Sequence, residues 1–287
     1  MKSFIQKLEQ REAEAGSVLC VGLDSALEKI PSLLQGEASP QFAFNRAIID
    51  ATHDLAACYK INMAFYTVLG SRGFDVLTQS IAYAHERGVP VILDAKYGDI
   101  GHTADYYART AFLTLEADAV TLNPYMGEEA IAPFREYADK TAFVLCFTSN
   151  VSRIDVQTQA VLMDETGPAP LYLAVAEKIR TWNQRENLGA VVGATAPEEL
   201  AEIRKLLGVE VPILCPGVGA QGGDLEEALW AGYSKPGRLI INVSRAIIHA
   251  SLQDDFAAAA RQQAEMFVHQ MMTFFSQLEA DRDGSLT

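Results

Sequence analysis

Short, unbroken apolar runs recur along this chain and alternate with segments of helical periodicity. Eight such runs are rich in Val, Ile and Leu: 18–23, 58–62, 90–94, 119–122, 142–147, 189–193, 211–215 and 239–243. A strand that is apolar at every position is covered on both faces, as in a parallel sheet wrapped by helices. This pattern constrains the fold most, because it requires a helical layer outside the strands.

The segments between the runs supply those helices. They carry apolar residues at spacings of three and four, and they span 40–56, 72–87, 103–116, 128–137, 170–186, 197–207, 224–231 and 254–278. Eight strands that are each followed by a helix predict an α/β fold, a single (β/α)₈ TIM barrel over residues 1–287. We expect an N-terminal helical extension and a frayed tail from Arg282 to Thr287. An open doubly wound sheet is the alternative, but no G-x-G-x-x-G follows the first strand.

Composition excludes several classes of partner. The net charge of −14 argues against general binding of nucleic acids or anionic membranes. The four cysteines show no C-x-x-C spacing, which predicts buried free thiols in a reducing compartment and no zinc site. No apolar run approaches the roughly 20 residues that cross a bilayer. The sequence therefore predicts a soluble, cytoplasmic protein.

Charged residues gather where the predicted strands end. The third strand ends in Asp94-Ala95-Lys96-Tyr97-Gly98-Asp99, and on an extended backbone Asp94 and Lys96 point to the same face. Other polar strand ends are Asp24, Lys60, Thr148, Ser149 and Arg245. In a parallel barrel these ends meet on one face, so the side chains are predicted neighbours. A solvated loop, or a lysine that snorkels at the rim, would explain one charge but not an opposing set.

A glycine-rich loop follows the seventh strand. The segment Cys215–Asp224 holds four glycines, which allow backbone N–H groups to approach an anion, and the helix that follows adds a partial positive charge. The ends of strands seven and eight are the usual phosphate site of this barrel, and Arg245 can add a bidentate contact. Such a loop alone can be a tight connection; with Arg245 it favours a phosphate monoester.

The segment Asp94–Thr103 fits the pattern D-x-K-x-x-D-I-x-x-T. In this motif the chain resembles the orotidine 5′-phosphate decarboxylases, and Pro216–Asp224 is similar to their phosphate loop. Asp24, Lys60 and Arg245 also match at their strand ends. Residues 121–127 and 242–245 resemble the longer bacterial subfamily, type 2.

The resemblance implies a reaction and its residues. Members of the family convert orotidine 5′-monophosphate to UMP and CO₂, the last step of de novo pyrimidine nucleotide synthesis. They use no metal or organic cofactor, and their homodimers share active sites. The implied catalytic array is Lys60, Asp94 and Lys96 with Asp99 of the partner subunit, and Lys96 protonates C6. Implied substrate contacts are Asp24 and Thr103 to the ribose, Ile100 to the base, Thr148 and Ser149 to the pyrimidine edge, and Pro216, Gly217, Val218, Gly219, Gln221 and Arg245 around the phosphate. Thr148 departs from the family, which often has Ser there.

Two other functions stay open. A sugar-phosphate decarboxylase or aldolase, resembling 3-keto-L-gulonate 6-phosphate decarboxylase or hexulose phosphate synthase, would use Mg²⁺ and an acidic residue where this chain has Lys60. A barrel that binds a nucleotide without turning it over would be expected to have lost the charged set. The polar stretch Asn150–Pro168 is either a lid or a simple insertion, and its composition favours the insertion.

Overall fold

The computed structural model describes residues 2–163, 167–219 and 221–284, with side chains up to residue 281. Its strands are β1 Leu19–Gly22, β2 Cys58–Asn62, β3 Val91–Tyr97, β4 Ala119–Leu122, β5 Thr141–Phe147, β6 Ala160–Met163, β7 Gly167–Pro170, β8 Leu188–Val192, β9 Ile213–Pro216 and β10 Leu239–Val243. Eight of them close into a barrel in the order β1-β2-β3-β4-β5-β8-β9-β10, and every pair is parallel. The predicted (β/α)₈ barrel is confirmed.

Helices fill the connections and cover the barrel. They are α1 Phe4–Ala15, α2 Pro40–Thr52, α3 Ala64–Thr67, α4 Ser71–Glu86, α5 Gly101–Arg109, α6 Ala132–Arg135, α7 Leu171–Trp182, α8 Pro197–Leu207, α9 Leu225–Gly232, α10 Arg245–Ile248 and α11 Phe256–Gly284. The single helix predicted over 128–137 is wrong: a 3₁₀ turn precedes α6, which starts beside Pro133 because proline fits only a first turn. The predicted frayed tail is helical to Gly284, and 285–287 lie outside the described residues.

Helix α1 closes the N-terminal end of the barrel. Ser3 and Gln6 form a capping box at its start, and Gly16 ends it with a φ of 62°. Phe4 and Leu8 are buried, and the Phe4 ring meets Phe143 of β5 edge-on at 6.0 Å between centroids. Side chains of α1 therefore fill this end of the barrel interior. The four cysteines are buried free thiols, as predicted.

The buried carboxylate of Asp118 connects three elements at this closed end of the barrel. Its carboxylate accepts hydrogen bonds from Lys7 Nζ at 2.5 Å and the Val91 backbone N–H at 2.8 Å, and it pairs with His85 Nε2 at 2.8 Å. Burial acts to raise the pKa of Asp118, but the hydrogen bond and charge of His85, with Lys7, lower it to about 2. One carboxylate thus joins α1, α4 and β3.

We expect this carboxylate to make stability depend on acid pH. Because the folded-state pKa is depressed, its contribution of about 2 kcal/mol is complete above the unfolded value of about 3.9 and is lost as the pH falls toward 2. Urea unfolding between pH 5 and pH 3 should show this slope, and Asp118→Asn should flatten it. The exposed Asp75→Asn serves as the control. An unchanged slope in Asp118→Asn would assign the acid sensitivity to other groups.

The buried guanidinium of Arg204 in α8 connects several backbone segments. Its guanidinium donates to four backbone carbonyls, those of Gly232, Gly208, Val211 and Arg238, at 2.6–3.0 Å. Burial, followed by the charge of Arg238, lowers the pKa of Arg204 to about 10. These carbonyls flank the starts of β9 and β10, so Arg204 holds in register the two strands whose far ends carry the glycine-rich loop and Arg245.

The described residues of the stretch 150–168 form three short elements. A 3₁₀ helix spans Val151–Asp155, and β6 and β7 form an antiparallel hairpin. Residues 164–166, between these strands, lie outside the described residues. The side chains of β6 alternate between exposed and half-buried, which is the pattern of a strand with one face on the protein. A hairpin of this kind is compatible with both interpretations of the stretch, a lid and an insertion.

Candidate active site

A cavity of about 460 Å³ opens at the C-terminal end of the barrel. Among the residues predicted for the site, it is lined by Asp24, Lys60, Asp94, Lys96, Thr148, Ser149, Pro216, Gly217, Val218, Gln221 and Arg245. Residues of the lining that the sequence analysis missed are Asn62, Thr121, Leu145, Asn150, Gln157, Val191, Leu214, Asn242 and Ser244. Most of the missed residues are apolar or amide side chains inside strands, which look like core in the sequence.

Opposite charges alternate along one wall of the cavity. Lys60 Nζ lies 3.5 Å from Asp24 Oδ1 and 3.1 Å from Asp94 Oδ2, and Lys96 Nζ lies 2.5 Å from Asp94 Oδ1. Lys60 is 3% exposed and Asp94 is 8% exposed, whereas the Lys96 side chain is 46% exposed. The buried pair therefore forms the base of the array, and Lys96 presents its ammonium to the cavity.

The pKa values in this array follow from burial and pairing. Burial acts to raise the pKa of Asp94, but the charges of Lys60 and Lys96 outweigh it and hold the pKa well below its usual range. Burial acts to lower the pKa of Lys60, and the carboxylates of Asp94 and Asp24 raise it above its usual value. At neutral pH the lysine is an ammonium and the aspartate is a carboxylate.

The backbone of β3 is not extended at its end, contrary to the prediction. Pairing with β4 runs through Leu93↔Val120, shifts, and resumes at Tyr97↔Leu122, and Lys96 has a φ of 51°. A left-handed lysine is rare because its Cβ crowds the backbone. The shared direction of Asp94 and Lys96 is therefore produced by a bulge, not by the alternation of a regular strand.

The loop after β5 is held by two amide side chains. Gln157 Oε1 accepts from the Thr148 backbone N–H and Gln157 Nε2 donates to Thr148 Oγ1, both at 2.8 Å. Ser149 Oγ donates to Gln221 Oε1 at 2.6 Å, which connects this loop to the glycine-rich loop after β9. The insertion thus reaches the cavity through Gln157, a contact that sequence distance conceals.

The glycine-rich loop folds back on itself beside Arg245. Gly217 has a φ of 106°, and the Gly223 N–H donates to its carbonyl at 3.0 Å. In the part of the chain that the structure describes, the Arg245 guanidinium has no hydrogen bond or ion pair, although it lines the cavity. A cavity with an unpartnered guanidinium and glycine-rich backbone suits an anion.

The predicted helix end after the glycine-rich loop does not reach the cavity lining. Asp224 caps α9 with its own side chain, which accepts from the Glu227 N–H at 2.9 Å, and it does not line the cavity. Ser244 and Arg245, at the start of α10, do line it. A carboxylate cap cancels the positive helix end that the sequence analysis assigned to α9.

Comparison with known proteins agrees with this geometry. Residues 17–262 match the Orotidine 5′-phosphate decarboxylase / HUMPS family. The chain belongs to this family. Within the Orotidine 5′-phosphate decarboxylase / HUMPS family, the orotidine 5′-phosphate decarboxylase of Herpetosiphon aurantiacus is 48% identical over 266 residues, which cover 92% of this chain and 96% of that protein.

Two solved structures from Leishmania donovani extend the likeness to three dimensions. The OMP decarboxylase gives a TM-score of 0.79 at 38% identity and covers 94% of this chain and 99% of its own. The UMP synthase gives a TM-score of 0.81 at 40% identity, and the match covers 95% of this chain but 57% of that longer one.

Four residues of the family pattern lie outside the cavity. Asp99 accepts a hydrogen bond from the Ile100 N–H at 2.8 Å, and Ile100 and Thr103 are exposed at the start of α5. Gly219 lies on the far side of the glycine-rich loop, where a Cβ would meet Phe267 at 3.7 Å. None of the four is among the described residues that line the cavity.

Two features are absent from the described residues of this family member. In residues 2–163, 167–219 and 221–284, no group of three or more His, Cys, Asp or Glu side chains is placed to hold a metal ion. Of the helices in these same ranges, none is both long enough and apolar enough to cross a membrane.

Proposed function

We propose that this protein is an orotidine 5′-phosphate decarboxylase that converts orotidine 5′-monophosphate to UMP and CO₂ in pyrimidine nucleotide synthesis in the cytoplasm. The proposal rests on the alternating charges of Asp24, Lys60, Asp94 and Lys96. This array ends in the Lys96 ammonium, which faces the cavity. Loss of CO₂ leaves an electron pair in the plane of the pyrimidine ring at C6, where it is poorly delocalised. A fixed ammonium beside that carbon stabilises the charge as it forms.

The reaction needs one proton and no redox partner. The bond between C6 and the carboxyl carbon breaks, its electron pair stays on C6, and Lys96 Nζ gives a proton to that carbon. Lys96 then regains a proton from water, which its exposure permits. Lys60 keeps Asp94 ionised while Lys96 gives up its proton, because the Lys60 ammonium stays 3.1 Å from the Asp94 carboxylate.

The remaining lining residues fit the rest of the nucleotide. Thr148 and Ser149 suit the polar edge of the base, Asp24 suits the ribose hydroxyls, and Arg245 with Gln221 suits the phosphate. Pro216, Gly217 and Val218 place backbone at the same end of the cavity, and Gly219 would act by shaping the loop from behind. Binding of the remote phosphate can supply energy that lowers the barrier at C6.

A magnesium-dependent sugar-phosphate enzyme is the second candidate. Such chemistry needs converging carboxylates around a cation. Here the Lys60 ammonium lies between Asp24 and Asp94, within 3.5 Å of both, and it takes the place of that cation. The observation favours the decarboxylase, which needs no metal or organic cofactor.

Shared sites in a homodimer would account for the residues outside the cavity. Asp99, Ile100 and Thr103 lie next to several large apolar side chains that are exposed on the segments after β3 and β4. These side chains are Tyr106, Tyr107, Tyr125 and Met126. A patch of this kind is typical of an interface, and pairing it with a second copy would carry Asp99 toward the cavity of the partner.

A mixture of two inactive variants tests this arrangement. We expect Asp99→Ala and Lys96→Ala to be nearly inactive alone and to regain activity when their subunits exchange, because one site of each hybrid has both residues. Complete exchange would leave about one quarter of the wild-type sites active. Mass spectrometry should confirm exchange in the same sample. Proven exchange without recovered turnover would contradict the shared site.

Arg245→Ala should weaken recognition of the phosphate. Removing a charge-assisted contact is expected to raise KM for orotidine 5′-monophosphate and Kd for UMP by about 10- to 100-fold. Uridine, which lacks the phosphate, should bind both forms alike. Arg46→Ala, on the exposed face of α2, is the matched control. An equal loss for uridine would show that Arg245 supports the cavity in another way.

The assay that tests the function follows the ultraviolet absorbance of orotidine 5′-monophosphate with purified protein in excess EDTA. Consumption with formation of UMP supports a metal-independent decarboxylase. Folded protein that binds UMP but leaves the substrate intact would instead favour the nucleotide-binding barrel. Turnover of a sugar phosphate only when Mg²⁺ is restored would favour the second candidate.

A further inference from the structure

A buried hydroxyl of β4 contacts both the Lys96 backbone and the carboxylate that binds the Lys96 ammonium. Thr121 of β4 is 1% exposed and lines the cavity floor. Its Oγ1 accepts a hydrogen bond from the Lys96 backbone N–H at 3.0 Å and donates to Asp94 Oδ1 at 2.9 Å. Among the described residues, Thr121 alone hydrogen-bonds both to the Lys96 backbone and to the carboxylate that holds the Lys96 ammonium.

The bulge in β3 explains why the first contact is needed. Between Leu93↔Val120 and Tyr97↔Leu122, three residues of β3 lie opposite Thr121 alone. The left-handed backbone of Lys96 turns its N–H away from the regular ladder. A backbone N–H that leaves the ladder near a buried cavity must find another acceptor, since an unpaired one costs about 1–3 kcal/mol. The Thr121 hydroxyl is that acceptor.

The direction of the second contact follows from the first. Because the Lys96 N–H can only donate, Thr121 Oγ1 accepts there, and its own hydrogen is left for Asp94 Oδ1. The same Asp94 oxygen receives the Lys96 ammonium at 2.5 Å. The contacts close a ring that runs from the Lys96 backbone through Thr121 and Asp94 to the Lys96 side chain.

We propose that Thr121 is a positioning residue for the decarboxylation, because it fixes the bulge that carries Lys96 and the carboxylate oxygen that orients the Lys96 ammonium. This inference rests on the proposed function. Thr121 acts through its two neighbours and transfers no proton itself. A displacement of about 1 Å in a catalytic group can cost about 100-fold in rate, so the loss should appear in kcat.

The test compares Thr121→Val, which keeps the shape and loses both hydrogen bonds, with Thr121→Ser, which keeps the hydroxyl. We expect Thr121→Val to lower kcat about 100-fold while Kd for UMP changes less than about threefold, and Thr121→Ser to restore kcat to within about fivefold of wild type. Wild-type turnover is measured beside them. If the wild type itself is inactive, the proposed function fails; if only the Thr121→Val loss is missing, this inference alone fails.

A second buried threonine separates positioning from stability. Thr52 of α2 is also fully buried, and its Oγ1 donates to the Ile48 carbonyl at 2.7 Å and contacts the Tyr59 hydroxyl at 2.9 Å, outside the cavity. Thr52→Val should lower the melting temperature as Thr121→Val does and leave kcat unchanged. Equal kcat in the two valine variants would overturn the proposal. If Thr121→Val does not fold, Thr121→Ala is judged by the same criterion.

Discussion

Lys96→Ala is expected to lower turnover of orotidine 5′-monophosphate by at least about 10⁴-fold, since it removes both a proton donor and the charge nearest C6. Affinity for UMP should be spared. Lys60 remains beside Asp94, so the buried carboxylate keeps a counter-ion and the base of the charged array is retained. Single-turnover kinetics and UMP titration on the same preparation separate the two effects.

The control for this variant is Lys178→Ala, which removes an exposed lysine of α7 and should leave turnover unchanged. Circular dichroism should show that both variants are folded. Turnover of Lys96→Ala within about tenfold of wild type would mean that another group donates the proton. The Lys60 ammonium would then be the remaining cation in the array, and its assignment as a buried counter-ion would need revision.

Arg204→Met is expected to lower the free energy of unfolding by about 3–5 kcal/mol, the largest stability effect we foresee. Methionine fills a similar volume, but four backbone carbonyls lose their common donor. For a chain of this size, the loss corresponds to a fall of roughly 6–20 °C in melting temperature. Differential scanning calorimetry measures it directly.

The matched control is Arg180→Met, on the exposed side of α7, where the guanidinium pairs with Glu177. Exposed pairs of this type contribute about 0–1 kcal/mol. The two variants make the same chemical change, so the difference between them reports burial. Similar melting temperatures would show that the carbonyls at the starts of β9 and β10 find other donors.

The sequence predicts the barrel well because the same pattern, an apolar run followed by a helical segment, occurs eight times. Each strand is a continuous apolar run, and every barrel strand overlaps its predicted run, with β2, β4 and β10 matching to the residue. The approach of Asp24, Lys60, Asp94 and Lys96 follows from the same rule, since parallel strands bring their ends to one face. This part of the prediction needs no side-chain detail.

What the sequence conceals depends on contacts between distant segments. The left-handed Lys96 has no local signal, because glycine or asparagine is the usual residue at such a φ. Thr121 and Gln157 look like an ordinary strand threonine and an ordinary loop glutamine until the bulge and the insertion bring them to their partners. The sequence places Asp224 in a phosphate loop, whereas its side chain caps α9.

Arg245 has a consequence for how a ligand arrives. The chain carries a net charge of −14, so its long-range field repels an anionic nucleotide, while the Arg245 guanidinium in the cavity lining attracts it at short range. The repulsion acts over tens of ångströms and is screened within about 8 Å at physiological salt, whereas a contact pair is screened much less. Added salt should therefore first speed the encounter and only at higher concentration weaken the complex, which gives an affinity with a maximum at intermediate ionic strength.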